Sequence, residues 1–173
     1  PWQTFRRMKE GKPVIVIGDG TSLWTVTHSL DFAAGFIGLM GNVHALGEAV
    51  HITSDEALPW NQIYTSVGLA FGVKPVLFHV ATETIVAREP SFAGPLLGDK
   101  SNTVVFDNTK LKRLVPGFTA KIRFDQGIRM TAAWFEMHPE AQTADPDWDA
   151  WTESMIQSLI TSQNAPSDVH QRT

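Results

Sequence analysis

The residues best suited to metal chemistry are six histidines spread over the whole chain. No two of them stand four apart, the spacing that places two imidazoles on one helix face to bind zinc. His44 and Glu48 have that spacing, but Gly47 between them indicates a loop. The sequence has no cysteine, which excludes thiolate metal sites, thiol nucleophiles and disulfide frameworks. We therefore predict no metal site.

His28 and Asp31 are the pair best placed for acid–base chemistry, because an imidazole and a carboxylate at this spacing could form an acid–base couple. Ser29 or Asp31 could equally cap a helix, since aromatic and apolar residues recur every four positions from Phe32 to Met40 and mark one helical face. From the residues alone, catalysis and helix capping both remain open.

The turn Gly18-Asp19-Gly20 could cradle a phosphate or reverse the chain between two strands. Apolar runs at residues 14–17 and 23–28 flank it, and glycine accepts the positive φ that a tight turn requires. A dinucleotide-binding turn has a third small residue and opens a helix, whereas here a strand follows. We interpret the segment as a hairpin, with phosphate binding as the alternative.

Strands and helices alternate along the chain, as judged from hydrophobic periodicity and turn residues. The predicted strands cover residues 14–17, 23–28, 49–53, 76–80 and 104–106. The predicted helices cover residues 2–10, 29–40, 59–71, 109–114, 124–138 and 147–160, with a long loop at 87–100 and a polar, disordered tail at 161–173. Such alternation is typical of an α/β fold with a largely parallel sheet and small hairpins.

Composition is that of an ordinary globular protein: 173 residues, of which 43% are hydrophobic and 18% charged, with a net charge of −4. The mild negative charge argues against nucleic-acid binding, and the longest apolar run, residues 32–40, is too short to cross a membrane. No signal peptide is evident, so we expect a cytoplasmic protein. Because Pro1 is not an initiator methionine and the first helix lacks a polar cap, we also expect a missing front part.

In its order of motifs the chain resembles the C-terminal half of an extended short-chain dehydrogenase/reductase, a group that includes NAD-dependent sugar epimerases, dehydratases and related reductases. That family shows a helix ending in glycine, a strand, a Gly-x-Gly turn, a strand closing with histidine, and a helix opened by aspartate. An Asp-x-Ser/Thr-Lys motif and a helix with an early glycine come later. The matching residues, within a span of about 3–138, are Gly11, Gly18, Gly20, His28, Asp31, Gly72, Asp107, Thr109, Lys110, Leu114 and Gly127.

The resemblance implies an α/β, Rossmann-type fold with small substrate-side hairpins and helices, and without the N-terminal cofactor-binding half. It implies NAD or NADP in the complete protein and none bound by this chain alone. The family's Tyr-x-x-x-Lys pair is missing, because Gly68 stands four residues after Tyr64. No catalytic or cofactor-binding residue is therefore assigned. The resemblance gives structural roles, with Asp31 capping a helix above the packed His28, to Gly18, Gly20, His28, Asp31, Asp107 and Lys110.

On the substrate side the chain differs from family members that act on nucleotide-diphosphate sugars. Those members carry an arginine, whose guanidinium pairs with a phosphate, at the position of Trp24. A second family arginine usually lies in the loop before Asp107, where Lys100 is the nearest cation here. The resemblance therefore predicts a small carbonyl or hydroxyl substrate, not a nucleotide-diphosphate sugar, bound by Trp24, Arg88, Leu97 and Lys100. Alternatively, Trp24 packs as an ordinary surface residue.

The resulting functional prediction is that residues 1–160 form the substrate-binding part of an NAD(P)-dependent epimerase, dehydratase or reductase that is not catalytic alone. One alternative is a non-catalytic binding or interaction module derived from this fold, and another is an unrelated small α/β domain. The predicted partners are a small-molecule substrate and the missing N-terminal half or another copy of the chain. A buried strand at 50–53 would otherwise leave an open edge and cause self-association. Neither nucleic acid nor membrane is an expected partner.

Overall fold

The computed structural model describes residues 2–164. Along them the elements are α1 (Trp2–Lys9), β1 (Val14–Ile17), β2 (Leu23–Trp24), α2 (Ser29–Leu39), β3 (Leu58–Pro59), α3 (Trp60–Ala70), β4 (Leu77–Val80), α4 (Thr82–Arg88), α5 (Ala93–Pro95), α6 (Thr109–Leu114), α7 (Phe124–Met137) and α8 (Pro146–Asn164). Short 3-10 turns lie at Val43–Ala45, Pro90–Phe92 and Pro139–Ala141, and a π turn at Leu96–Lys100.

The strands form two small sheets. β1 and β4 pair in parallel, with Val14 opposite Leu77 and Ile17 opposite Val80. β2 and β3 pair in antiparallel fashion, with Trp24 opposite Leu58. Parallel pairing needs a long crossover, and the chain from β2 to α3 supplies it. The predicted strands at 14–17 and 76–80 are therefore confirmed, whereas the strand at 23–28 is reduced to its first two residues.

The predicted hairpin around the Gly-Asp-Gly turn is wrong. Gly18 and Gly20 do adopt positive φ angles of 56° and 74°, as the turn chemistry requires. The turn nevertheless leads from β1 in one sheet to β2 in the other, because Asn61 of α3 holds it there. The backbone N–H of Asn61 donates to the Gly20 carbonyl at 2.9 Å, and its side-chain amide donates to the Asp19 carbonyl at 2.9 Å.

The main core is an aromatic layer between α1, α3 and α7. Trp2 and Phe5 of α1 are buried, as their helical spacing indicates, and Met8 is 1% exposed. The Trp2 ring lies 5.0 Å from that of Phe135, and the Phe5 ring lies 5.0 Å from that of Phe71. A second cluster joins the β1–β4 sheet to α4 and α8 through Val80, Ile85 and Met155.

The structure also corrects several other predicted elements. Residues 49–53 and 104–106 are not strands, because no strand among residues 2–164 forms a ladder with them. The predicted loop at 87–100 contains the end of α4 and a series of short helical turns. Helix α8 extends to Asn164, four residues beyond its predicted end, and the remaining tail residues 165–173 lie outside the described part.

Helix α2 presents an apolar face that the rest of the described residues leave exposed. Phe32, Phe36 and Met40 share one face, as predicted, but they are 48%, 52% and 66% exposed. The rings of Phe32 and Phe36 stack on each other with centroids 6.1 Å apart. Between residues 2 and 164, no helix combines the length and apolar character needed to traverse a bilayer.

Candidate substrate-binding site

A pair of stacked indoles forms the centre of the candidate site. The β2–β3 ladder brings Trp24 beside the start of α3, where the Trp60 ring stacks on it at 6.0 Å and 21°. Phe106 meets the Trp24 ring edge-on, with centroids 6.3 Å apart. Trp24 and Trp60 are each half-buried, so this aromatic cluster is fixed in place yet still reaches the surface.

Lys100 joins the same cluster. Its ammonium nitrogen lies 5.5 Å from the centre of the Trp24 ring, within the range of a cation–π contact. The neighbouring Asp99 carboxylate is 3.1 Å from that nitrogen and offsets its charge. The Lys100 carbonyl accepts a hydrogen bond from the Trp60 indole N–H at 3.0 Å. Two of the four predicted substrate residues, Trp24 and Lys100, therefore lie together.

The other two predicted substrate residues are engaged elsewhere. The Arg88 guanidinium donates to the Ser158 hydroxyl of α8, and Leu97 is 42% exposed, with its carbonyl accepting from Asn102. Within residues 2–164, no hydrogen bond, ring contact or cation–π contact joins Arg88 or Leu97 to Trp24. The loop that carries Leu97 reaches the site through Lys100 instead.

A polar cleft of about 280 Å³ lies beside the indole pair, at the carboxyl ends of β1 and β4. Its walls carry the hydroxyl groups of Thr21, Ser22, Thr82, Ser101 and Thr103. Sequence reasoning missed this cleft, because its hydroxyls come from segments far apart in the chain. The run Ser101-Asn102-Thr103 after the irregular loop was the available signal.

Asp19 stands at the rim of that cleft. Its carboxylate accepts hydrogen bonds from the Thr21 hydroxyl at 2.6 Å and from the Thr21 backbone N–H at 2.9 Å. These hydrogen bonds, the hydroxyl first, lower the pKa of Asp19, so the carboxylate is ionised at neutral pH. An anion at this turn, followed by β2 instead of a helix, does not fit the pyrophosphate of a dinucleotide.

His28 takes the capping role that the resemblance predicts for Asp31, while its ring packs against Gly127. His28 is the N-cap of α2, and its Nδ1 accepts from the Leu30 backbone N–H at 3.2 Å. Asp31 is buried and does not cap α2; its two carboxylate oxygens accept from the backbone N–H groups of Lys121 and Ile122 at 2.9 Å. The capping prediction is therefore wrong. Asp31 instead ties α2 to the segment before α7, and no hydrogen bond links it to His28 in the described chain.

Asp107 and Lys110 lie at the start of α6. The Asp107 carboxylate accepts from the Thr109 backbone N–H at 2.7 Å, and hydrogen bonds from Thr109, its hydroxyl first, lower the pKa of Asp107. The Lys110 ammonium pairs with Glu48 and donates to the Ala49 carbonyl at 2.9 Å. These contacts tether α6 to the extended segment at 48–49.

Tyr64 is partly buried, and its ring lies 6.3 Å from that of Trp60. Desolvation by burial raises the pKa of its hydroxyl, which makes the group a poorer proton donor. Gly68, one turn later on α3, packs against Pro75. Nowhere in residues 2–164 do three or more histidine, aspartate or glutamate side chains gather closely enough to hold a metal ion.

Comparison with known proteins shows what the chain is similar to. No family model matches the sequence. The chain is 32% identical over 157 residues to 2'-dehydrokanamycin reductase of Streptomyces kanamyceticus, an alignment covering 90% of this chain and 43% of that protein. An epimerase of Methanothermobacter thermautotrophicus matches 80% of this chain and 37% of its own, with a TM-score of 0.66 and 16% identity. UDP-glucuronic acid 4-epimerase of Bacillus cereus, solved with NAD, matches 78% and 38%, with a TM-score of 0.59 and 15% identity.

The class of protein follows from this fold: a mixed α/β unit shared with NAD-dependent epimerases and dehydratases of the Rossmann type. The chain resembles the C-terminal portion of the extended short-chain dehydrogenases/reductases, and these comparisons confirm the resemblance predicted from the sequence. It spans less than half the length of the curated relative and of the solved structures that it matches.

Proposed function

We propose that this chain is the substrate-binding portion of an NAD(P)-dependent reductase, epimerase or dehydratase that acts on a small carbonyl or hydroxyl compound. The substrate is not a nucleotide-diphosphate sugar. The observation that carries the proposal is the Trp24–Trp60 stack with Lys100 beside it. The family resemblance implies a phosphate-binding arginine at the position of Trp24 in members that act on nucleotide-diphosphate sugars. The similarity to a reductase supports hydride chemistry in the complete protein.

The charges at the stack support an uncharged substrate group there. A diphosphate is bound well by the forked donors of a guanidinium. Trp24 offers a flat apolar ring instead, and the single ammonium of Lys100 is already 3.1 Å from Asp99. A phosphate at this place would lose its hydration and meet one partly neutralised cation, whereas an apolar or hydroxylated ring face would gain stacking contact.

The cofactor of the complete protein is, on this proposal, NAD or NADP held by residues other than those described. The Gly18-Asp19-Gly20 turn does not fit a dinucleotide, and Tyr64 does not fit the role of a proton donor. No chemical step is assigned to this chain. Its contribution is to bind and orient the substrate.

The exposed face of α2 supports a partner for this chain. Phe32, Phe36, Leu39, Met40 and Leu46 line a concave surface of about 490 Å³, next to the unpaired residues Val50 and Ile52. A patch of this kind marks an interaction site. We infer that the cofactor-binding half of the fold covers it in the complete protein, and that the chain alone self-associates through it. Light scattering tests this inference, and a monodisperse monomer at high concentration would contradict it.

The test of the substrate proposal is Trp24→Arg in the complete protein. We expect kcat/KM for the natural substrate to fall about tenfold, which corresponds to ~1.4 kcal/mol of lost transition-state binding. Weak binding of nucleotide-diphosphate ligands should appear in the same variant. Trp134→Arg is the matched control, because Trp134 is 45% exposed and stacks on His138 outside the site. Unchanged kinetics with a lowered melting temperature would make Trp24 a packing residue.

A further inference from the structure

We propose that the hydroxyl-lined cleft beside the tryptophan stack binds a polyhydroxylated sugar ring that carries no phosphate. The inference rests on the proposed function and names the substrate class for the same site. Three observations carry it: the hydrogen-bonding capacity left unused in the cleft, the charge at its rim, and the hydrogen bonds that link it to the stacked indoles.

The hydroxyls of the cleft leave both donors and acceptors free. The Thr103 hydroxyl oxygen accepts from the Leu23 backbone N–H at 3.1 Å, so its own O–H is free to donate. Thr82 and Ser101 share one hydrogen bond at 2.8 Å, in which one hydroxyl donates and the other keeps its proton available. A hydroxyl has one donor and two acceptor positions, so these contacts satisfy only part of each group.

A sugar hydroxyl matches such a surface better than a phosphate does. A sugar hydroxyl both donates and accepts, whereas a phosphate at neutral pH mainly accepts. Thr21 already donates its proton to Asp19, which leaves only acceptor positions on Thr21. The cleft therefore combines O–H donors on one wall with acceptors on the opposite rim, the arrangement that adjacent hydroxyls of a ring can satisfy.

The charge of the cleft also opposes a phosphate. Neither lysine nor arginine is among its lining residues in the described chain, and Asp19 at the rim is an ionised carboxylate. A phosphate brought into this cleft would be repelled by Asp19 without a compensating cation. A neutral ring, or one bearing an amino group, would instead donate to that carboxylate.

Hydrogen bonds link the cleft to the stacked indoles. Ser22, which lines the cleft, donates from its hydroxyl to the Lys100 carbonyl at 3.4 Å, and the same carbonyl accepts from the Trp60 indole. Leu23 lies between Ser22 and Trp24 in β2 and bonds to Thr103. A ring seated in the cleft would therefore have the Trp24 region beside it for a second ring or an apolar substituent.

The experiment measures binding by ligand-observed NMR with the full chain and four probes: methyl glucoside, glucosamine, glucose 6-phosphate and UDP. We expect the first two to bind saturably and the two phosphorylated compounds to bind more weakly. Thr103→Val should weaken glucoside binding about three- to tenfold, which is the effect of one neutral hydrogen bond. Thr103→Ser keeps the hydroxyl and should restore it. Thr65→Val is the matched control, because that hydroxyl bonds within α3 to the Asn61 carbonyl.

The outcomes separate this inference from the proposed function. Tighter binding of glucose 6-phosphate or UDP than of the glucoside would overturn the sugar-ring assignment, as would no glucoside binding at all, even if Trp24→Arg alters the kinetics as expected. Equal weakening by Thr103→Val and Thr103→Ser would show that the hydroxyl is not the ligand group. Glucoside binding that depends on Thr103, combined with unchanged kinetics in Trp24→Arg, would support the cleft and refute the proposed function at Trp24.

Discussion

Arg7 and Lys100 are two cations in this protein with opposite surroundings. The Arg7 side chain is 1% exposed, and its donors bond to Asp149 at 2.6 Å, Glu153 at 3.0 Å and the Pro13 carbonyl at 3.0 Å. Lys100 is 38% exposed, and within residues 2–164 its ammonium contacts the adjacent Asp99 and the face of Trp24. Arg7 joins α1 to α8 across more than a hundred residues, whereas the Lys100 ammonium finds its partners, in the described part of the chain, within its own loop and the tryptophan stack.

The difference distinguishes a charge that stabilises the fold, here called a structural charge, from a charge that is available to a ligand, here called a site charge. A buried cation must have its donors satisfied within the protein, and removing it leaves its partners unpaired. A half-exposed cation held by local contacts contributes little to stability and keeps capacity for a ligand. The same contrast applies to hydroxyls, since those of the cleft retain unused donors and acceptors. Stability experiments should therefore respond to Arg7 and its partners, and binding experiments to Lys100 and the cleft.

The largest expected effect follows from removing Arg7. Arg7→Met should lower the free energy of unfolding by about 3 kcal/mol, near the low end for a broken buried pair because Glu153 still reaches solvent. Lys12→Met is the matched control: Lys12 contacts the same Asp149 but is 42% exposed, and should cost less than about 1 kcal/mol. Urea unfolding measures both values. Equal losses of stability in the two variants would show that a buried cation contributes no more to stability here than an exposed one.

The next largest effect concerns the turn that leads into the site. Gly20→Ala should destabilise the chain by about 2 kcal/mol, because φ is +74° and an added Cβ would overlap the Asn61 side chain. Gly18→Ala meets open space at φ +56° and should cost only about 1 kcal/mol of backbone strain. If both variants unfold at the same urea concentration, Asn61 does not hold the turn as described.

Acid should weaken the link between α1 and α8 more than it weakens the site. Burial tends to raise the pKa of Asp149, but the hydrogen bond and charge of Arg7, followed by Lys12 and Arg6, lower it overall. The pKa of Glu153 is lowered by hydrogen bonds from Gln157 and then Arg7. Both groups bind protons more weakly when folded, so their stabilisation is present above the unfolded pKa values of about 4 and is lost as the pH falls through the folded ones.

The measurement for that prediction is the free energy of unfolding at pH 7 and at pH 3. Wild-type protein should lose stability on acidification, and Arg7→Met should lose less, because the contribution of Arg7 to the lowered pKa values of Asp149 and Glu153 is removed. Parallel pH dependence in the two proteins would assign the acid sensitivity to other carboxylates.

The smallest expected effect is a null response to cofactor. The isolated chain should give no measurable heat with NAD or NADP in isothermal titration and should not transfer hydride, because the described glycine turn does not fit a dinucleotide. A signal in the micromolar range would show that the site region binds cofactor as well as substrate, and would end its assignment to the substrate side.

Local patterns in the sequence were sufficient to predict most of the secondary-structure elements. Trp2, Phe5 and Met8 recur at helical spacing, and all three are buried in α1. The run VIVI predicts β1, and Gly72 ends α3 with a positive φ of 73°, as a helix-stopping glycine does. The order of glycines, His28 and Asp31 also carried the resemblance to the extended short-chain dehydrogenases/reductases. The helical spacing, the strand run and the helix-stopping glycine each span only a few residues, and local steric preferences of the backbone determine them.

Pairing over long distances needed the tertiary structure. The sequence could not show that β1 pairs with β4 and not with β2, since a Gly-Asp-Gly turn suits a hairpin equally well. Nor could it show that Asp31 accepts from Lys121 and Ile122, about ninety residues away, instead of capping its own helix. Thr82, Ser101 and Thr103 likewise meet the Gly-Asp-Gly turn only in the fold. Hydrophobic periodicity indicates which face of a helix or strand is apolar. Which distant segment then packs against that face depends on packing and hydrogen bonding across the whole fold.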